Sequence, residues 1–391
     1  MTQTIKKFIN DSAAARWTAL ILIALAMFFA YMFVDVMAPI QSYAETQLDW
    51  NPTIYGNYAS SEYLLNICGF LILAGFILDK TGIRFTGLLS GSLMVIGATI
   101  KFIGISEWFQ GTGFCEWLNS WWTAMPGSAK MASLGFMIFG CGCEMAGTTV
   151  SKAIAKWFKG KEMAMAMGVE MAIARVGVFA IFSLSPVIRE SFGDVTIPVA
   201  FCLALLVIGL LNYLVFSIMD KKLDRQMNEA GVSCNEESEE EFKFSDVKSI
   251  LTSKSFWVVA ILCVLYYSAI FPFQKYAVNM LQCNLTFTEV PAGSFWASNS
   301  VTIVQYVFML IVAATAFASN FLKKPLKQIL LVVSCIFLVV YCYMGYMRQS
   351  AETIFAVFPL LAVGITPILG KIVDHKGKAA TMLIFGSILL V

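Results

Sequence analysis

Charge is scarce in this sequence. Aspartate, glutamate, lysine and arginine make up 13% of 391 residues, roughly half the share expected of a soluble domain. Histidine is nearly missing, and the lone His375 can build neither a metal site nor a catalytic relay by itself. No G-x-x-x-x-G-K-S/T loop is present to cradle phosphates, so ATP is not the expected energy source. The charges nearly cancel, at +2, which excludes the basic footprint of a nucleic-acid binder. With no His relay, metal-ligand cluster or Ser/Lys motif, an enzyme is not expected, nor is a metal or cofactor. The ten cysteines mostly sit inside apolar runs. The C-x-C at Cys141 and Cys143 has no second pair and reads as packing. Cys115 and Cys283 fall in outer loops and could form a disulfide.

What the chain has instead is apolar length. The hydrophobic fraction is 59% and the mean hydropathy +0.75. Apolar runs of about 18 to 25 residues are long enough to span a bilayer as helices. They predict spans at Trp17–Ile40, Ile54–Leu78, Phe85–Ile105, Met131–Ser151, Met163–Ile188 and Ile197–Met219. A polar stretch follows, Asp220–Lys254, containing "NEESEEEFK", and reads as a solvated linker. Beyond it come Ser255–Met280, Ala297–Ala318, Gln328–Met347, Thr353–Gly370 and a run from Ala379 that is still apolar at Val391. The expected organisation is an all-α polytopic membrane protein. Residues 1–219 form a six-helix bundle, 220–254 a cytoplasmic linker and 255–391 a second, incomplete bundle, as of a truncated sequence. The first run is too long for a cleavable leader and lacks a small-residue cleavage site. Lysine and arginine concentrate in alternate loops, while the opposite loops and span ends hold only Lys101, Lys130, Arg189 and Arg348. The amino terminus and linker are therefore expected in the cytoplasm.

The loop after the second span reads "GFILDKTGIRF", Gly75–Phe85, and a related "GKIVDHKGK" runs from Gly370 to Lys378. Both resemble the signature loop of the major facilitator superfamily, whose internal duplication places one copy in each half. The second copy is expected after span eight and stands after span ten, as if a helix pair, about 297–347, were inserted. "WFKGKEMAMAMG" at Trp157–Gly168, "ARVG" at Ala174–Gly177, "GCGCEMAGTTV" at Gly140–Val150, "YYSAIFPF" at Tyr266–Phe273 and "FVDVMAP" at Phe33–Pro39 are similar to the family's lysosomal dipeptide-transporter branch. That resemblance implies a passive carrier of dipeptides. Its fourth-span glutamate and fifth-span arginine, which hold the peptide's ends, fall on Glu144 and Arg175.

The residues support a related reading independently. An ionised side chain at mid-bilayer costs about 2.5–3.5 kcal/mol on insertion scales, so such groups face a cavity or a partner. Arg175 lies roughly 18 Å into its span and Glu144 roughly 20 Å into its own. Their depths should differ by roughly 8 Å, and two extended residues span about 7 Å. A dipeptide's ammonium could meet Glu144 while its carboxylate meets the Arg175 fork. A permanent buried ion pair is the alternative. Tyr266, Tyr267 and Phe273, beside a helix-interrupting Pro272, could touch peptide side chains or simply pack. Asp35 and Lys275 fall near the outer ends of their spans and are candidate gating partners, with independent snorkelling as the other reading. Glu62 and Glu170 could bind a proton if desolvated, or lie at the interfaces. Asp79, Arg84, Asp374 and Lys378 of the signature loops suit a cytoplasmic gate: the aspartates could meet helix amino termini and the bases facing carboxylates. The expected function is secondary transport of small zwitterions, foremost dipeptides, by alternating access, as a uniporter or proton-coupled. An organic-anion or amino-acid carrier and a ligand-sensing transceptor remain open. The expected partners are a small-molecule substrate and the lipid bilayer. A bacterial inner membrane is the preferred location, a lysosomal membrane the alternative for a eukaryotic chain.

Overall fold

The computed structural model describes residues 8–230, 250–287, 290–291, 293–319, 322–323 and 325–360. Most of the linker, the second signature copy with Asp374 and Lys378, and the run from Ala379 lie outside the described residues. All regular structure among the described residues is helical. Seven stretches among them are long and apolar enough to cross a membrane. In such a medium the backbone must satisfy its own hydrogen bonds, and only helices do so within one segment. The chain divides into two units: Met1–Gly177 with Val187–Val247, and Val178–Pro186 with Lys248–Val391.

The first unit opens with α1, Ala13–Asp35, followed by the short α2, Gln41–Gln47. Asn51 caps α3, Pro52–Ser60, by accepting the Ile54 N–H, and Pro52 supplies a first position that needs no donor. After a π-helical turn at Asn66–Phe70, α4 runs from Leu71 to Ile105. It leaves helical geometry at Gly82, whose φ of 75° suits only a residue without a side chain. There the chain reverses. Before Gly82, contacts with α7, Gly127–Phe158, ascend in step: Tyr58 stacks on Phe136, and Asp79 pairs with Lys152. After it they descend: a methyl on Gly104 would lie 2.7 Å from the Ala132 nitrogen, and one on Gly142 would lie 2.7 Å from the Ser90 oxygen. The second and third predicted spans are therefore distinct and antiparallel, and glycines let the third meet α7 backbone to backbone. Between them and α7 lie the short α5, Glu107–Gln110, and α6, Gly113–Ser120. Cys115 is buried there against Phe109 and Leu118, and burial raises its thiol pKa. Cys115 and Cys283 are both free thiols, so the disulfide weighed from sequence is not formed.

Helix α8, Met163–Phe192, ends at Gly193, which adopts the left-handed conformation and returns its N–H to the Arg189 carbonyl. Helix α9, Thr196–Glu229, runs ten residues past the predicted end of the sixth span. The polar stretch read as linker from Asp220 onward thus begins as helix. The reason is Asp220 itself: fully buried, it accepts from Lys156 at 2.9 Å and from the Trp157 indole at 3.0 Å.

In the second unit, Ser253 caps α10, Lys254–Asn284, which continues unbroken through Pro272. The expected interruption of the seventh span is absent. Helices α11, Asn299–Ser319, and α12, Leu326–Met347, are the pair read as inserted. They lie antiparallel, with Phe308 on Phe337 and Trp296 on Tyr343. Where α13, Ala351–Leu360, begins, Gln305 joins Arg348 at 2.5 Å and Thr353 at 2.8 Å, and Gln282 joins Glu352 at 2.8 Å.

Candidate functional site

Glu144 sits on α7, fourteen residues before its end at Phe158, and Arg175 on α8, twelve residues after its start at Met163. At 1.5 Å per residue these are about 21 Å and about 18 Å from the same end of the bundle. The depth offset expected from hydropathy, about 8 Å, shrinks to about 3 Å. The cause is that α7 continues seven residues past Ser151, because Lys152 and Lys156 find carboxylates there. Among the described residues no ion pair joins Glu144 to Arg175. Glu144 is exposed and Arg175 half-buried, so neither is consumed by a permanent buried bridge.

A third helix closes on these two. The Arg175 guanidinium carbon lies 5.9 Å from the centroid of the Tyr31 ring on α1. Gly177 makes this possible, since a methyl there would stand 2.6 Å from the Phe28 carbonyl. Tyr31 lies within Coulombic reach of Glu144, Glu170 and Arg175 together. Glu170 is only 8% exposed, so it is enclosed by protein. The sequence reading missed Tyr31. Its available signal was a polar group in α1, one turn before Asp35.

A second polar group sits toward the other end. Asp35 is 1% and Glu62 4% exposed, and Tyr63 lies within Coulombic reach of both and of Glu144. Neither acid snorkels. Lys101, read from sequence as a marker of the outer span ends, is fully buried. Its ammonium lies 4.3 Å from the Phe33 ring, 4.4 Å from Phe136 and 5.3 Å from Tyr58, a cation held by aromatic faces from three elements. Lys275, on α10 in the other unit, is 8% exposed.

At the opposite end Arg84 reaches Asp224 at 3.2 Å and Asp220 at 3.8 Å, and Lys156 meets Asp224 at 2.6 Å. These carboxylates belong to the same unit as Arg84. Asp79 pairs with the Lys152 side chain at 3.0 Å instead of a helix amino terminus. Nearby, Arg16 meets Glu162 at 3.1 Å and Lys161 meets Asp11 at 2.7 Å. The Lys161 hydrogen bond and the Phe8 N–H hold the Asp11 carboxyl below its usual range. At the far end burial raises the Asp194 carboxyl. Bonds from the Thr196 N–H, the Thr196 hydroxyl and the Gln47 amide outweigh it and hold the group below its ordinary 3.8.

Of the aromatic candidates, Phe273 packs edge-on against Phe355 and Phe358, each 5.7 Å away. Tyr267 stacks on Phe271 at 5.2 Å and Tyr266 meets Tyr267 edge-on. All three remain partly exposed. They belong to the second unit, and Glu144, Arg175 and Tyr31 to the first. Among the described residues no cluster of metal-ligating side chains occurs.

The family model described as Major Facilitator Superfamily matches residues 23–348. The lysosomal dipeptide transporter MFSD1 of Homo sapiens is 25% identical over 309 residues, 75% of this chain and 58% of the relative. That of Bos taurus is 26% identical over 309 residues with the same shares, and that of Danio rerio 26% over 304 residues, 74% and 59%. The chain spans less than two thirds of the length of these curated relatives. A solved mutant of peptide transporter POT in complex with alafosfalin is 14% identical over 93% of this chain and 68% of that one. Its TM-score of 0.43 is too low to place residues.

Proposed function

We propose that this chain, which belongs to the major facilitator superfamily, carries small zwitterions, foremost dipeptides, across a membrane by alternating access. The observation that supports the reading is that Glu144 and Arg175, opposite charges about 21 Å and about 18 Å from the same end, stand on consecutive helices with no ion pair between them among the described residues. An ionised pair that deep is costly unless something neutralises it. A dipeptide brings an ammonium for Glu144 and a carboxylate for Arg175, and its own charges cancel. The guanidinium offers two parallel donors to a carboxylate, a geometry an ammonium does not match. Because both anchors read the ends of the peptide, side-chain selectivity is loose. Tyr266, Tyr267 and Phe273 are proposed to line the path of the side chains, and Asp79 and Arg84 to serve cytoplasmic gating. The resemblance to lysosomal dipeptide transporters of 25–26% identity supports the same substrate class. Their location makes a lysosomal membrane the counterpart of the bacterial one.

Zwitterion neutrality means a uniporter needs no titrating group. The burial of Glu170 and Glu62 favours a second reading, proton coupling through one of them. A proteoliposome uptake panel separates the readings. Neutral, cationic and anionic dipeptides are compared with single amino acids, with and without a pH gradient. The proposal expects uptake of all three dipeptide classes, little of single amino acids, and no dependence on the gradient. Transport of monoanions alone would assign Arg175 to an anion carrier. Binding without uptake would make the chain a sensor.

A further inference from the structure

Arg175 is a long side chain with two acids in reach of its surroundings. Glu170 stands five residues earlier on its own helix, and Glu144 on α7. Among the described residues the guanidinium forms an ion pair with neither. What it does meet is the face of Tyr31, at 5.9 Å. That ring is firmly placed. Phe28 and Tyr31 are three residues apart and share a face of α1, and Phe28 lies at the close crossing with Gly177. A cation over an aromatic face is attracted to it, most when desolvated. That competes with an ion pair to a carboxylate in partial contact with water.

We infer that Tyr31 is a positioning residue for carboxylate recognition: its ring backs the Arg175 guanidinium, keeps it from Glu144 and Glu170, and presents the fork to the carboxy terminus of the peptide. The inference rests on the proposal that Arg175 takes that carboxylate. The ring, not the hydroxyl, performs the task. Tyr31→Phe therefore keeps it, while Tyr31→Leu, of similar bulk and no π face, loses it.

The test compares a free dipeptide with its carboxy-terminal amide, as competitors of labelled dipeptide uptake in proteoliposomes. Parent and Tyr31→Phe should prefer the free acid equally. In Tyr31→Leu, KM for the free acid should rise roughly tenfold, equal to about 1.4 kcal/mol, with kcat little changed, and the preference over the amide should largely vanish. A structural defect would lower kcat for both ligands alike and keep their ratio. Such a result overturns the inference, as does a Tyr31→Phe variant that loses the preference. If Tyr31→Leu does not fold, Tyr31→Met is read by the same ratio. A parent that cannot tell acid from amide sinks the functional reading itself, and this inference with it.

Discussion

Single side chains carry the sharpest expectations. Replacing Arg175 with lysine keeps the charge but removes the two-point fork, and dipeptide uptake is expected to fall roughly tenfold or more, since each lost tenfold is about 1.4 kcal/mol. Glu144→Gln should do the same through the ammonium end. Equal uptake by both variants and the parent would refute the site. Asp194 gives a pH signature. Its folded carboxyl is held below 3.8, so its contribution is present above that value and lost as pH falls through the lower folded value. Thermal melting of Asp194→Asn and parent should therefore differ by a constant amount from pH 7 down to about pH 4, and converge only below it. A gap that closes between pH 7 and 5 would contradict the assignment. Glu144 and Arg175 were legible in the sequence because a charge inside an apolar run has few innocent explanations. Tyr31 was not, since a tyrosine in such a run looks like any packed aromatic. Lys101 was misread for the opposite reason. Near a span end a lysine looks like a topology marker, and only the fold shows three rings converging on it.

At the scale of helices, hydropathy located the spans but not their ends. Apolar composition stops near Ser151 and Met219, whereas α7 continues to Phe158 and α9 to Glu229. The extra turns are held by ion pairs among Arg84, Lys156, Asp220 and Asp224, which no periodicity reveals. Asp220→Ala would leave the buried Trp157 indole without its acceptor and Lys156 and Arg84 with Asp224 alone, at a cost of about 1–3 kcal/mol. A clear loss of detergent melting temperature is expected, and none would mean the cluster is only a solvated face. The glycines of the fourth span permit close approach. Gly135 and Gly97 face each other so closely that a methyl on either would stand 2.5 Å from the other's carbonyl oxygen. Gly135→Leu should abolish monodisperse protein in size-exclusion chromatography, while substitution at Gly168, with open space around it, should not. Pro272 was overread: one proline does not break a helix whose neighbours can accommodate it.

For the whole molecule, the signature loop, the glutamate and arginine in lipid and the division into two units point to one scheme. In the proposed scheme a neutral, doubly charged ligand satisfies Glu144 and Arg175, both carried by the first unit. Asp35 and Lys275 belong to different units, and their role in gating is tested through function. Either charge reversal alone should impair transport, and the double reversal should restore it. No restoration would remove them from the gate. A duplication is expected from the repeated loop, whose second copy lies outside the described residues. The packing that ties Val178–Pro186 to the second unit was not legible, since α8 reads as one uniform apolar run. The central claim is that Glu144 and Arg175 hold the two ends of a transported dipeptide. Counterflow tests it most directly: proteoliposomes preloaded with unlabelled dipeptide are presented with labelled dipeptide outside. The account predicts transient accumulation of label in the parent, and little or none in Arg175→Lys or Glu144→Gln. Accumulation undiminished in both variants, or none in the parent, would contradict it.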